Sequence, residues 1–313
     1  MSYNRRTFLK HCAMWSVAAA AGRVRVPVSG NPVNQQDSFF EAANQLDVIA
    51  HRGGDGERPG ETMMAFRHAV GLGVDVLEMD IYQTMDGQLV LMHNPTVDET
   101  TDGSGSISSR TVEQLKQLNA GFHWAGEHDN RLFHKRKLRT VPARIRNDLT
   151  VATLDEVFTA FPQMRMNIEM KWSTISPVEK LGELIRRHQM EKKVLVASFR
   201  PLYLEQFRSL CPEVATSASV TELMNYKLFN KRPNAAAIQI SPALKLELNK
   251  RATNVGVKLL TREFVDKAHR DGFKVHAWTI NEIEQMRRIR DMGVDGIITD
   301  YPTRLLSIRE QQQ

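Results

Sequence analysis

The sequence predicts a (β/α)8 TIM barrel with a β-hairpin extension after its second strand. Three observations carry that expectation. From residue 46 onward, short β-rich runs alternate with amphipathic helical ones, as in a parallel sheet whose strands are joined by helices. The chain has 313 residues, room for one barrel of about 250 residues and a leader. Acidic, basic and cationic side chains gather at the ends of the expected strands, where such barrels build their sites.

The strand candidates are Asp47–Ala50, Val74–Ile81, Gln88–Met92, Met166–Lys171, Val194–Ser198, Val214–Ser217, Ala236–Ile240, Lys274–Thr279 and Gly296–Thr299. That is one too many for the barrel. Asp86-Gly87 is a hairpin turn signal between the second and third runs, so Gln88–Met92 reads as an antiparallel extension and eight strands remain. The helical segments include Glu61–Val70, Val112–Leu118, Leu154–Phe161, Pro177–Gln189, Leu202–Leu210, Arg262–Arg270 and Glu282–Met292. The polar, basic stretch Phe122–Asp148 is long for such a connection. It reads either as a solvated surface loop or as a substrate-covering or membrane-touching loop.

The organisation expected is a signal peptide and leader over residues 1–30, a linker over 31–45 and a single barrel domain over 46–313. The formal charge of +6 is concentrated in the leader: residues 1–30 hold five of the 42 basic groups and no acid, leaving 37 basic against 36 acidic groups. A nucleic-acid partner is therefore not expected, because the positive field does not lie on the folded domain. With Cys12 in the leader, Cys211 is the single remaining thiol. That excludes an internal disulfide and a cysteine-based zinc site, and Cys211 reads as a packing residue.

Asn4-Arg5-Arg6-Thr7-Phe8-Leu9-Lys10 resembles a twin-arginine export signal, and the apolar run Cys12–Gly22 follows it. The run is too short for a hydrocarbon core that takes about 20 residues to span. Export to the periplasm through that machinery is the expectation.

Four segments carry the chemistry. Val48-Ile49-Ala50-His51-Arg52-Gly53-Gly54 ends an apolar strand in a proton-transfer group, a phosphate-seeking fork and two glycines. In Leu77-Glu78-Met79-Asp80 the two carboxylates are two residues apart and share one strand face. Such a pair calls for a cation, and a hard divalent ion with oxygen ligands suits it. Val90-Leu91-Met92-His93-Asn94 adds a second histidine, and Asn167-Ile168-Glu169-Met170-Lys171 puts a carboxylate and a cation on one face. Singly these have plain explanations: a core histidine, the polar side of an edge strand, a cross-face ion pair, the start of a turn. Together they emerge from successive strand ends.

These residues also carry a resemblance. His51-Arg52-Gly53, Leu77-Glu78-Met79-Asp80, Thr84-Met85-Asp86-Gly87, His93-Asn94, Glu169-Met170-Lys171, Ser198-Phe199, Trp278-Thr279-Ile280-Asn281 and Gly293 through Asp300 resemble, in order, the signature of glycerophosphodiester phosphodiesterases. The long connection ending in Thr153-Leu154-Asp155-Glu156-Val157 is similar to the branch with lysophospholipase-D-like members. The resemblance implies that Glu78, Asp80 and Glu169 hold one divalent metal, Ca2+ ahead of Mg2+. It implies His51 and His93 as general acid and base, Arg52 and Lys171 as phosphate grips, and Trp278 as a wall of the pocket or a structural aromatic. In the implied reaction the glycerol 2-hydroxyl attacks phosphorus to form a cyclic phosphate, which water opens to glycerol 3-phosphate. The expected partner is a small-molecule glycerophosphodiester, with a lysophospholipid as alternative and transient contact with a membrane surface. A catalytically silent phosphodiester-binding envelope protein is the alternative of another class; it should have lost a histidine or carboxylate, and none is missing. One departure stands out. The family reads Pro-Glu-Asn-Thr after the His-Arg-Gly loop, and here the run is Pro59-Gly60-Glu61-Thr62. Either Glu61 substitutes from the next position or the loop lacks that contact.

Overall fold

A computed structural model describes residues 39–40, 46–126, 131–243, 245–247 and 256–310, all within the compact unit Asn34–Gln313. The expected signal peptide, its arginine pair and most of the expected linker lie outside the described residues. Eleven strands occur among the described residues: β1 (Asp47–Ala50), β2 (Val76–Gln83), β3 (Leu89–Leu91), β4 (Arg165–Met170), β5 (Val194–Ala197), β6 (Ala215–Thr216), β7 (Ala237–Ile240), β8 (Lys245–Glu247), β9 (Gly256–Lys258), β10 (Lys274–Ala277) and β11 (Gly296–Thr299). Eight run parallel in the order β6–β5–β4–β2–β1–β11–β10–β7. A parallel bridge between Ser217 and Ala237, with Ala218 N–H donating to the Ala237 carbonyl at 2.8 Å, joins the two ends into a barrel. As the Asp86-Gly87 turn implies, β3 pairs antiparallel with β2, Tyr82 opposite Val90. The β8–β9 hairpin has no counterpart among the sequence expectations.

Alternation along the strands divides the core in two. On β2, Leu77, Met79 and Ile81 pack in the large cluster that includes helix residues such as Phe66 and Leu181, and on β4 Met166, Ile168 and Met170 do the same. The opposite parity faces the lumen. There Ile49, Val76, Leu195, Ala215, Ala237 and Ile298 form a second cluster. Glu78 and Asp80 follow Val76 in that parity, so they must climb the lumen towards the C-terminal mouth.

Phe39 and Phe40, inside the stretch expected as linker, belong to the lumen cluster. The packed unit therefore begins ahead of residue 46. The Arg165 guanidinium stands over the Phe39 ring, its carbon 5.4 Å from the centroid, and grips Asp47 through two hydrogen bonds of 2.7 and 2.9 Å. The pair sits at the N-terminal end of β1 and β4, opposite the mouth.

The described residues of the long stretch expected as a solvated loop or cover include apolar side chains that pack together. Phe133, Leu138, Val141 and Leu149 form a small core of their own, with Trp124 against it. Asn119 ties the excursion by donating to the carbonyls of Phe133 and Arg136, both at 2.8 Å. The apolar residues look scattered along the chain only because this segment has no regular period. Cys211 is buried and free, as expected. Among the described residues no helix is long and apolar enough to cross a membrane.

Removing one partner of a buried ion pair costs about 3–5 kcal/mol, because it strands the other charge. Arg165→Ala should therefore lower unfolding stability by about that amount in urea titrations, and an unchanged midpoint would show that the Asp47 contact carries no weight.

Candidate active site

Everything that positions the site follows from strand ends at one mouth. Behind β1 the chain turns sharply: Arg52, Gly53 and Gly54 all take left-handed backbone angles, with φ of 52°, 80° and 94°. Gly53 is required here, because a Cβ would come within 2.8 Å of the Ala65 Cβ. The turn aims His51 and Arg52 back over β2.

His51 Nδ1 lies 2.5 Å from Asp300 Oδ1. Asp300, just past β11, is itself fixed: Asn281 Nδ2 donates to its Oδ2 at 2.6 Å, and its own N–H donates to Asn281 Oδ1 at 3.0 Å. With Asp300 accepting at Nδ1, the imidazole leaves Nε2 facing the site, 3.9 Å from Glu78 Oε2. Burial and the Arg52 charge push the imidazole pKa down, but Asp300 and Glu78 outweigh them and hold it above the ordinary histidine value. Asp300 and Asn281 fall within the motifs of the sequence pattern, yet no role was read for either. The signal available was a polar pair at adjacent strand ends, Asn281 after β10 and Asp300 after β11.

On β2 and β4, Asp80 and Glu169 are cross-strand neighbours. The ammonium of Lys171 lies between them, 3.1 Å from Asp80 Oδ1 and 2.9 Å from Glu169 Oε1. Arg52 Nε approaches the other Asp80 oxygen at 3.3 Å, and Arg52 N–H donates to Glu78 Oε2 at 2.9 Å. Burial favours the neutral acid, but Lys171 and Arg52 win at Asp80 and hold its pKa far below the carboxylate range. Burial wins at Glu78, pushed up to about 7, and raises Glu169 as well. His93, beyond β3, is held by Asn94 Oδ1 at 3.0 Å from its Nδ1. Burial, with the charges of Arg52 and Lys171, lowers its pKa to about 3. The two histidines are thus pushed in opposite directions.

The remaining expected residue, Trp278, stands after β10, packed on the lumen cluster with Phe199 edge-on at 5.7 Å. The mouth is therefore divided. The ends of β11, β1, β2 and β4 carry the ionisable groups, and those of β5 and β10 carry aromatic ones. Trp172, the residue after Lys171, marks the border, with the Arg200 guanidinium over its ring at 4.7 Å.

Oxygen donors converge on this mouth, but among the described residues no three potential metal ligands stand together as a ready cluster. Lys171 lies between Asp80 and Glu169 instead. Two buried carboxylate oxygens among the described residues nonetheless lack a hydrogen bond: Glu61 Oε2, and Asp80 Oδ2, which has only the ionic contact with Arg52. A buried carboxyl oxygen without a hydrogen bond, beside further carboxylates, suits a hard cation.

The fold and this arrangement of acids, histidines and cations define a barrel enzyme acting on a phosphate ester. Comparison with known proteins gives the family. Residues 51–304 match the model of the glycerophosphoryl diester phosphodiesterase family, and the chain belongs to that family and is an enzyme of that class. A glycerophosphodiester phosphodiesterase of Caldanaerobacter subterraneus subsp. tengcongensis is 30% identical over 83% of this chain and 96% of its own length. Lysophospholipase D GDPD1 of Homo sapiens is 26% identical over 82% of this chain and 84% of its own. The structure of an Oleispira antarctica phosphodiesterase in complex with the product sn-glycerol-3-phosphate shares the fold, with a TM-score of 0.62, 24% identity and coverage of 86% of this chain and 98% of that one.

Since Asp300, with Glu78, holds the His51 pKa up, Asp300→Asn should move the His51 titration to lower pH. Histidine NMR titration of the metal-free protein would check it, and an unmoved or raised midpoint would contradict the assignment.

Proposed function

We propose that the enzyme hydrolyses glycerophosphodiesters to an alcohol and glycerol 3-phosphate through a cyclic phosphate. The observation that carries this reading is the gathering of His51, His93, Arg52 and Lys171 with the carboxylates at one barrel mouth, in a chain that matches this family. Arg52 and Lys171 grip the phosphate oxygens, where forked and point-like cations are both effective. His93, neutral in the working range, takes the proton of the glycerol 2-hydroxyl as that oxygen attacks phosphorus. His51, oriented by Asp300, gives a proton to the departing alcohol oxygen. The phosphorus–oxygen bond to the alcohol breaks as the bond to the 2-oxygen forms. In the second step the roles reverse: His51 accepts a proton from water and His93 returns one to the 2-oxygen. Glu78, Asp80 and Glu169 would hold one divalent ion, Ca2+ ahead of Mg2+, which when bound polarises the phosphoryl oxygens and offsets developing charge.

A second reading has a specific observation behind it. Trp172, Phe199 and Leu202 are 60%, 42% and 59% exposed, beside the catalytic half of the mouth. Exposed apolar side chains gathered at a site point to a binding surface. They favour a lysophospholipid whose acyl chain lies across the aromatic half. Transient contact with a membrane surface belongs to the same reading. Export to the periplasm through the twin-arginine machinery is proposed from the leader motif.

Two tests follow. Purified enzyme should turn over glycerophosphocholine, with chelator abolishing and Ca2+ or Mg2+ restoring activity. His51→Ala and His93→Ala should each lower turnover by about 10²–10⁴-fold. Turnover that survives exhaustive chelation would remove the metal, intact turnover in both variants would remove the histidine roles, and a lysophosphatidylcholine preference of tenfold or more would select the second reading. Changing Arg5 and Arg6 to Lys should leave active precursor in the cytoplasm, and undiminished periplasmic enzyme would show another export route.

A further inference from the structure

The departure at Pro59-Gly60-Glu61-Thr62 places Glu61 inside the site. Its side chain is buried, with 6% of the residue exposed. Oε1 accepts a hydrogen bond from the Asp80 N–H at 2.9 Å. Oε2 is buried without a hydrogen-bond partner, and the charges acting on this carboxyl are those of Asp80, Glu78 and Arg52. The backbone is bent to achieve this. Glu61 has φ of 60°, a conformation that non-glycine residues other than Asn and Asp adopt rarely, and its N–H donates to the Arg52 carbonyl at 3.0 Å.

Position 60 could hold a side chain only if Asp55 moved. A Cβ on Gly60 would lie 2.6 Å from Asp55 Oδ1, the same atom that accepts the Gly60 N–H at 2.9 Å. Asp55 therefore fills the space that a longer side chain at 60 would need. A side chain at 61 that only had to hold the Asp80 N–H would need one acceptor, and an amide would serve. Glutamate brings a second carboxyl oxygen into a pocket where Asp80 Oδ2, in ionic contact with Arg52, also has no hydrogen bond. Burying an unpaired carboxylate oxygen is costly, so a permanent lack of any partner is the least economical state.

We infer that Glu61 is a further oxygen ligand of the divalent ion, added to Glu78, Asp80 and Glu169. The inference rests on the divalent-ion reading above. Oε1 stays on the Asp80 N–H and Oε2 is the donor. An additional carboxylate raises affinity and favours the ion that accepts more oxygen ligands, Ca2+ over Mg2+.

Glu61→Gln separates this role from a positioning one, because the amide keeps an acceptor for the Asp80 N–H and loses the anionic oxygen. Calorimetric titration of the chelator-stripped chain with Ca2+ should show at least tenfold weaker binding for Glu61→Gln, with the melting temperature of the metal-free proteins matched. Glu61→Asn, which suits the left-handed backbone, should weaken binding similarly and serves where Gln does not fold. Wild-type Ca2+ affinity in a folded variant would overturn the inference while leaving the metal reading intact. A wild-type chain that binds neither Ca2+ nor Mg2+ would overturn both, and phosphodiesterase activity persisting there would still uphold the hydrolase reading.

Discussion

The constraint on which the rest of the structure depends is the burial of like charge at the barrel mouth. Glu78, Asp80 and Glu169 are committed to the lumen by strand alternation, and they cannot all ionise there without compensating charge. The protein supplies some of it covalently, through Lys171 between Asp80 and Glu169 and through Arg52 on the outer Asp80 oxygen. Arg52 reaches that place only because the chain after β1 folds back through left-handed angles, which in turn needs a glycine under helix Met63–Leu72. The excursion beyond β3 braces the same turn, since Trp124 Nε1 donates to the Asp55 carbonyl at 2.6 Å.

Much of this was legible in the sequence, and the reason is periodicity. Two-residue spacing in Glu78-Met79-Asp80 and Glu169-Met170-Lys171 fixes a shared face irrespective of where the strands end. The strand ends themselves were less legible: the second strand begins at Val76 and continues to Gln83, because its edge is extended by pairing with β3. Helix Val220–Phe229 escaped notice because its outward side carries Leu228 and Phe229, 43% and 74% exposed, so no polar stripe sets off the buried Leu223 and Tyr226. The small core of the excursion was hidden for a related reason: Phe133, Leu138, Val141 and Leu149 obey no helical or strand period.

Within the site, residue types were readable and their partners were not. The Asn281–Asp300–His51 chain joins residues 249 positions apart, and only closure of the barrel brings β11 beside β1. The same holds for Glu61, whose place among the carboxylates depends on Asp55 occupying the neighbouring space. A local motif tells which groups are present; the shape of one loop decides which of them reaches the cations.

Phe39 and Phe40 give the molecule a cork. Each ring sits edge-on to the other, 4.9 Å between centroids, and Phe40 also meets the buried ring of His276 at 5.7 Å. A barrel open at the end opposite its site would admit water to a lumen whose histidine has no hydrogen-bond partner for either nitrogen. A chain shortened through Phe40 would therefore be left uncorked.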